Sequence, residues 1–243
     1  MIRLEDVHKA FDEPLLSGID LAIARGTIWG LVGPAASGKS VLLKLICGLV
    51  RPDHGRILVG EDDLTTLEEH ELMRPRRRIG MLFQNNALFD FMNVQDNVAF
   101  PLVRAGVAPE EALARAAARL KAVGLAGSEL KLPSQLSGGM KKRVAVARAS
   151  VSDPEIVIYD EPTAGLDPVT TSKIYELLAA DHARSGATVV VVSSDVDALR
   201  SFAGEMALLY QGRLRYNGPS ASIEESPDPV VRQFVRGDLE GPL

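Results

Sequence analysis

The run Gly33-Pro34-Ala35-Ala36-Ser37-Gly38-Lys39-Ser40 follows the spacing G-x-x-x-x-G-K-S. That spacing suits the capture of a polyphosphate. Its glycines let successive backbone N–H groups turn inward around phosphate oxygens, and a helix opening at Lys39 adds the positive end of its dipole. Lys39 reaches the β- and γ-phosphates, and the Ser40 hydroxyl ligates Mg²⁺. The context agrees, because the loop stands between an apolar strand, Ile28 to Val32, and a helix, Val41 to Cys47.

Two further segments complete the chemistry. Ile156-Val157-Ile158-Tyr159-Asp160-Glu161 is an apolar strand ending in two carboxylates. Asp160 can hold Mg²⁺ through its water shell, and Glu161 can polarise a water for in-line attack on the terminal phosphorus. Leu136-Ser137-Gly138-Gly139-Met140, followed by Lys141-Lys142-Arg143 and VAVARAS, reads as a second phosphate-facing helix start with its Ser and Gly donors turned outward. Solvated acids at a strand end, or a glycine-rich cap, would be unremarkable alone. In this order with the loop they read as one nucleotide-processing site.

These groups need a scaffold, and the chain has one. Short Val/Ile-rich runs at 27–32, 79–83, 156–159, 188–192 and 206–210 alternate with helical segments, the pattern of an α/β fold with a mostly parallel core sheet covered on both faces. The first 25 residues and Gly55 to Gly60 alternate apolar with polar positions, which predicts a small antiparallel β subdomain. Between Asn85 and Ser152 the strand signal vanishes, and Pro109-Glu110-Glu111 opens a helix toward Gly124, so a helical subdomain is inserted there. The expected division is a core of 1–84 and 153–218, a helical subdomain of 85–152 and a tail of 219–243.

Composition sets limits. At 243 residues with 46% hydrophobic and 24% charged, the chain is neither a miniature scaffold nor disordered. A net charge of -5 gives no global positive field to recruit nucleic acid. The lone Cys47 makes no internal disulfide and reads as a small buried hydrophobe, which fits a reducing compartment. The start MIRLEDVHKAF lacks the apolar h-region of a secretory leader, and no apolar run approaches the ~20 residues that span a bilayer. A membrane, if involved, is met through a partner.

The loop around Lys39, the LSGG element, the strand ending in Glu161 and the following Leu166-Asp167 together resemble the ATP-binding cassette (ABC) ATPases over nearly the whole chain. The resemblance implies the P-loop NTPase fold with a RecA-like core, ATP and Mg²⁺ as ligands, and a head-to-tail dimer. In such a dimer Ser137, Gly138 and Gly139 of one copy close on the loop around Lys39 of the other. Phe11 occupies the place of the aromatic that stacks on adenine. Gln84 occupies that of the Mg²⁺- and water-contacting glutamine at the hinge to the helical subdomain. Met140 replaces the usual Gln beside LSGG. Where the family carries a histidine after the next strand, Val191-Val192-Ser193-Ser194-Asp195 presents Ser194, which cannot carry positive charge. None of His8, His54, His70 and His182 follows that strand, and His182 is expected on a solvated helix face.

Leu88, Phe89, Phe91 and Met92 crowd the loop after Gln84 and suggest a docking groove, the region where the family receives a permease's coupling helix, or else a locally packed core. Arg74 and Arg76 to Arg78 suit either acidic headgroups or a solvated edge. FQNNALFDFMNVQDNVAFPL and the tail VRQFVRGDLEGPL resemble one branch, the ATPases of the maintenance-of-lipid-asymmetry systems. That likeness implies phospholipid movement powered from the cytoplasmic face of a bacterial inner membrane. The implied partners are an MlaE-like permease, an MlaB-like STAS protein and an MCE-domain lipid-binding protein. Phe234 and Val235 would anchor the tail either on the neighbouring ATPase or on its own subunit. Other readings stay open: a cassette for another substrate, a slowly hydrolysing regulatory subunit, and, less favoured by the acidic balance, a DNA-handling or translation cassette.

Overall fold

A computed structural model describes residues 1–243. The chain runs through β1 (Ile2–Ala10), β2 (Pro14–Ile23), β3 (Ile28–Val32), α1 (Lys39–Ile46), β4 (His54–Val59), β5 (Asp62–Asp63) and α2 (Met73–Arg76). It continues with β6 (Ile79–Leu82), α3 (Val94–Arg104), α4 (Pro109–Ala122), α5 (Gly138–Ser150), β7 (Ile156–Asp160) and α6 (Pro168–Ser185). It closes with β8 (Thr188–Val192), α7 (Val196–Phe202), β9 (Glu205–Tyr210), β10 (Arg213–Pro219) and α8 (Pro229–Arg236). These elements form two compact units, Met1–Arg76 with Thr188–Leu243, and Arg77–Ala187.

In the first unit, β2, β1, β4 and β5 form the expected antiparallel sheet, with Ile2 opposite Ile23 and Leu4 opposite Leu21. Alternation puts Ile2, Leu4, Leu16, Ile19 and Leu21 into the core while their neighbours face water. β3 runs parallel to both β8 and β9, and β10 turns back antiparallel on β9. Every residue of β8 is buried, as befits a parallel strand covered on both faces. Gly30 lets α7 lie against β3, because a Cβ there would come within 2.9 Å of the Leu199 side chain.

In the second unit β6 and β7 pair in parallel, Ile79 with Ile156 and Leu82 with Tyr159. Helices α3, α4 and α5 enclose a separate core that includes Val98, Leu102, Ala116, Leu120, Val144 and Ala147. The helix starts are legible: the Asn93 side chain accepts from the Asp96 N–H at 2.8 Å to cap α3, and Pro109 opens α4 ahead of Glu110 and Glu111. No helix is long and apolar enough to cross a membrane.

Three surface segments make contacts within the chain. In the tail, α8 buries Val230, Val231 and Val235, and Arg215 pairs with Asp228 at 2.7 Å. Three of the four arginines of the basic run pair within the chain, Arg74 with Asp62, Arg76 with Glu69 at 2.6 Å and Arg78 with Glu155 at 2.8 Å. His182 is half-buried rather than solvated, its Nδ1 2.9 Å from the Ala187 carbonyl at the end of α6.

Candidate nucleotide-binding site

The loop Gly33 to Lys39 joins β3 to α1 within the first unit. Two glycines set its shape. A Cβ on Gly33 would lie 2.3 Å from the Leu209 carbonyl oxygen, and Gly38, at φ +102°, would meet the Leu16 side chain at 2.9 Å. Gly38 is the residue before α1 and offers no side-chain cap, so the first-turn N–H groups of α1 face the loop. The Lys39 ammonium lies across the loop, donating to the carbonyls of Gly33 at 2.8 Å and Pro34 at 2.7 Å. Leu15 and residues 36–41 line a cavity of about 250 Å³. The buried Ser37 Oγ has no hydrogen-bond partner in the protein. Uncapped amides, a cation and a buried hydroxyl around one concavity match the donor set of a bound polyphosphate.

Phe11 follows β1 and is 63% exposed, so a ring face is open to stack on a planar base. Lys9 Nζ lies 5.3 Å from its centroid and pairs with Asp53 at 2.7 Å. The Asp53 carboxyl is held below the usual carboxylate range by that lysine and by the Ala10 N–H. Ser194 is exposed beyond β8, between the buried Ser193 and Asp195, whose carboxylate caps α7 by accepting from the Ala198 N–H at 3.0 Å.

The second unit carries the carboxylates. Asp160 ends β7, Glu161 follows it, and both are buried. Glu161 sits at φ +51°, a left-handed conformation that costs a non-glycine residue on the order of 1–3 kcal/mol. Lys142, from α5, is buried beneath it. Its ammonium donates to the Glu161 carbonyl at 2.8 Å and to the Gln84 carbonyl at 3.0 Å. Burial pushes the Lys142 ammonium below its usual pKa, and the charges of Glu161 and Asp160 act in the opposite direction. The Gln84 side chain is exposed at the end of β6.

Ser137 is the N-cap of α5, its Oγ accepting from the Met140 N–H at 3.3 Å, and Ser137 and Gly138 both face solvent. Met140 packs against the helical core.

The loop after Gln84 is organised from beneath. The fully buried Asn97 accepts from the Phe89 N–H at 2.8 Å and donates to the carbonyls of Phe89, Met92 and Asn93. Arg148 donates to the Ala87 carbonyl at 2.7 Å and the Asn86 carbonyl at 2.6 Å. An apolar groove of about 340 Å³ results, walled by Phe83, Phe89, Phe100 and Pro101 among others, with Phe91 exposed nearby in sequence. Lys142, Asn97 and Arg148 are the residues that motif spacing missed. Their only signal was a polar side chain at a helix position that the apolar periodicity assigns to the core.

The ABC transporter family matches residues 16–164, and the chain belongs to that family as an ATPase. It is 39% identical over 230 residues to the intermembrane phospholipid transport system ATP-binding protein MlaF of Escherichia coli, covering 94% of this chain and 86% of that protein. Equal identity, 39% over 245 residues, links it to the probable ribonucleotide transport ATP-binding protein mkl of Mycobacterium leprae, covering 100% of this chain and 70% of that one. The methionine import ATP-binding protein MetN of Caulobacter vibrioides is also 39% identical, with 99% and 74% covered. Among solved structures, a post-hydrolysis dimer of the ATP-binding cassette MJ0796 with ADP and Pi superposes with TM-score 0.83 at 33% identity, covering 90% of this chain and 99% of that chain.

Proposed function

We propose that the chain is the ATPase subunit of a bacterial phospholipid transporter, working as a head-to-tail dimer on the cytoplasmic face of the inner membrane. The observation that carries the engine is the loop at Lys39, with its glycine-dependent shape, uncapped α1 amides and buried Ser37 hydroxyl. Residues 33–40 grip the triphosphate, Phe11 stacks on adenine, and Ser137, Gly138 and Gly139 of the second copy close the site. Ser40, Gln84 and Asp160 offer a hydroxyl, an amide oxygen and a carboxylate, the hard oxygen donors that Mg²⁺ prefers. Bound there, Mg²⁺ would offset charge on the β- and γ-phosphates. Glu161 takes the proton of the attacking water, and Gln84 orients that water. Ser194 donates one hydrogen bond where a charged side chain would do more, so turnover is slow.

The lipid assignment is supported by the likeness to MlaF and by the apolar groove, which suits a permease helix. On this reading the partners are an MlaE-like permease, an MlaB-like STAS protein and an MCE-domain protein, and contact with lipid passes through them. The equal likeness to mkl and MetN supports the same engine with another cargo. Isolating the intact assembly from membranes and analysing its bound small molecules separates the two. Phospholipid retained with an integral membrane subunit supports the first reading, and a polar solute in its place supports the second.

A further inference from the structure

We propose that Asp6, His8 and His54 form a surface site for one divalent transition-metal ion of the Zn²⁺, Co²⁺ or Ni²⁺ type. The sequence puts Asp6 and His8 two residues apart on β1, on either side of the buried Val7. The β1–β4 register then sets His8 directly opposite His54. The pairing shifts between Glu5 and His8, and within this irregularity Asp6 takes φ +48°. An aspartate held in the left-handed region is a cost the surrounding structure must impose. Here the flanking strands impose it. A Cβ on Gly55 would lie 2.2 Å from the Asp6 carbonyl oxygen, so the bulge rests on a residue without a side chain. On the other side Gly18, at φ +66°, leaves room beside the cluster, its would-be Cβ 3.4 Å from Asp6 Oδ1 and 3.8 Å from His8 Nε2.

The ligand atoms are correspondingly close. His8 Nε2 is 2.9 Å from Asp6 Oδ1, and His54 Nδ1 is 3.3 Å from Asp6 Oδ2. All three groups offer an atom within 4.8 Å of the others, and the two rings meet edge to face at 5.5 Å. A tetrahedral Zn²⁺ with bonds of ~2.0–2.1 Å has ligand-to-ligand edges of ~3.3–3.4 Å. Each imidazole nitrogen thus already stands near that edge length from one of the two Asp6 oxygens, and rotation of the carboxylate and the rings brings one oxygen and both nitrogens onto a single ion. Two imidazole nitrogens and one carboxylate favour a borderline metal over Mg²⁺, and three protein ligands leave a position for water. The site differs in ligand chemistry and residues from the proposed Mg²⁺ donors. Bound metal would tie β1 to β4 at His8, immediately before Lys9 and Ala10, which Asp53 already secures next to Phe11.

The test is a Co²⁺ and Zn²⁺ titration of the untagged full-length chain in excess Mg²⁺, read by Co²⁺ absorption and by Zn²⁺ competition with a chromogenic chelator. One equivalent should bind, and His8→Asn and His54→Asn should each weaken it by about tenfold or more. Asp6→Asn, which suits the left-handed backbone, should weaken it with metal-free thermal unfolding unchanged. His70→Asn and His182→Asn should bind as the parent does. Absence of saturable binding, or binding indifferent to His8→Asn and His54→Asn, would overturn the proposal.

Discussion

The ammonium of Lys142 donates a 2.8 Å hydrogen bond to the backbone carbonyl of Glu161, the residue at φ +51° that follows β7. A second bond, to the Gln84 carbonyl at 3.0 Å, makes one buried cation the common anchor of the proposed base and of the residue proposed to orient its water. The helix capped by Ser137 therefore holds the backbone of both residues as well as presenting Ser137 and Gly138 to solvent.

Replacing Lys142 with Met should expose the value of that anchor. Two carbonyls lose their donor, and the buried one, of Glu161, costs about 1–3 kcal/mol. If the freed Glu161 backbone shifts by the order of an ångström, kcat falls on the order of 10–10²-fold. ATP affinity, set mainly by the loop at Lys39, should change far less. Parallel kcat and nucleotide-binding measurements check this, and an unchanged kcat would remove Lys142 from the account.

Ser194→His should raise ATP turnover on the order of 10–10²-fold, because a histidine restores a longer and chargeable donor to the end of β8. ATPase rates of the two chains side by side decide the matter, and equal rates would show that Ser194 is no handicap.

The tail has a pH signature. The Arg215 side chain, followed by the Val230 N–H, holds the Asp228 carboxyl below the usual carboxylate range. A folded-state pKa below the unfolded one gives stability that is present above the unfolded value, ~3.9, and is lost as pH falls through the folded value. Amide protection across Pro229–Arg236, taken relative to the intrinsic exchange rate at each pH, should hold at pH 5–7 and fall only below about pH 4. Asp228→Asn keeps a capping side chain but should lower protection at neutral pH and flatten the acid dependence.

Burial pushes the Cys47 thiol up to about 12, with the nearby Arg76 charge acting in the opposite direction. At pH 8 the thiolate fraction is then ~10⁻⁴, so a disulfide reagent should label Cys47 only as fast as the protein opens. Rapid stoichiometric labelling of the native chain would contradict the burial.

What the sequence disclosed was what is contiguous. Residues 33–40 lie in one run, and the strand and helix on either side are periodic enough to place the loop. Distant causes were hidden. Gly33 must lack a side chain because Leu209 closes over it, and no local pattern links those positions. Lys142 reads as one of three basic residues after LSGG until α5 turns it inward. His182 read as solvated because the periodicity of α6 does not show its ring folding back on Ala187. The three residues of the metal cluster come together only through a strand pairing and a bulge.

The most direct measurement is sedimentation velocity of Glu161→Gln with ATP and Mg²⁺. Removing the proposed base while leaving the phosphate grip should trap a dimer of about twice the 26.1 kDa chain, which dissociates when Lys39→Ala is added to the same protein. A species that binds ATP but stays monomeric, or a Glu161→Gln chain that hydrolyses at the parental rate, would contradict a site shared between two copies and fired by Glu161.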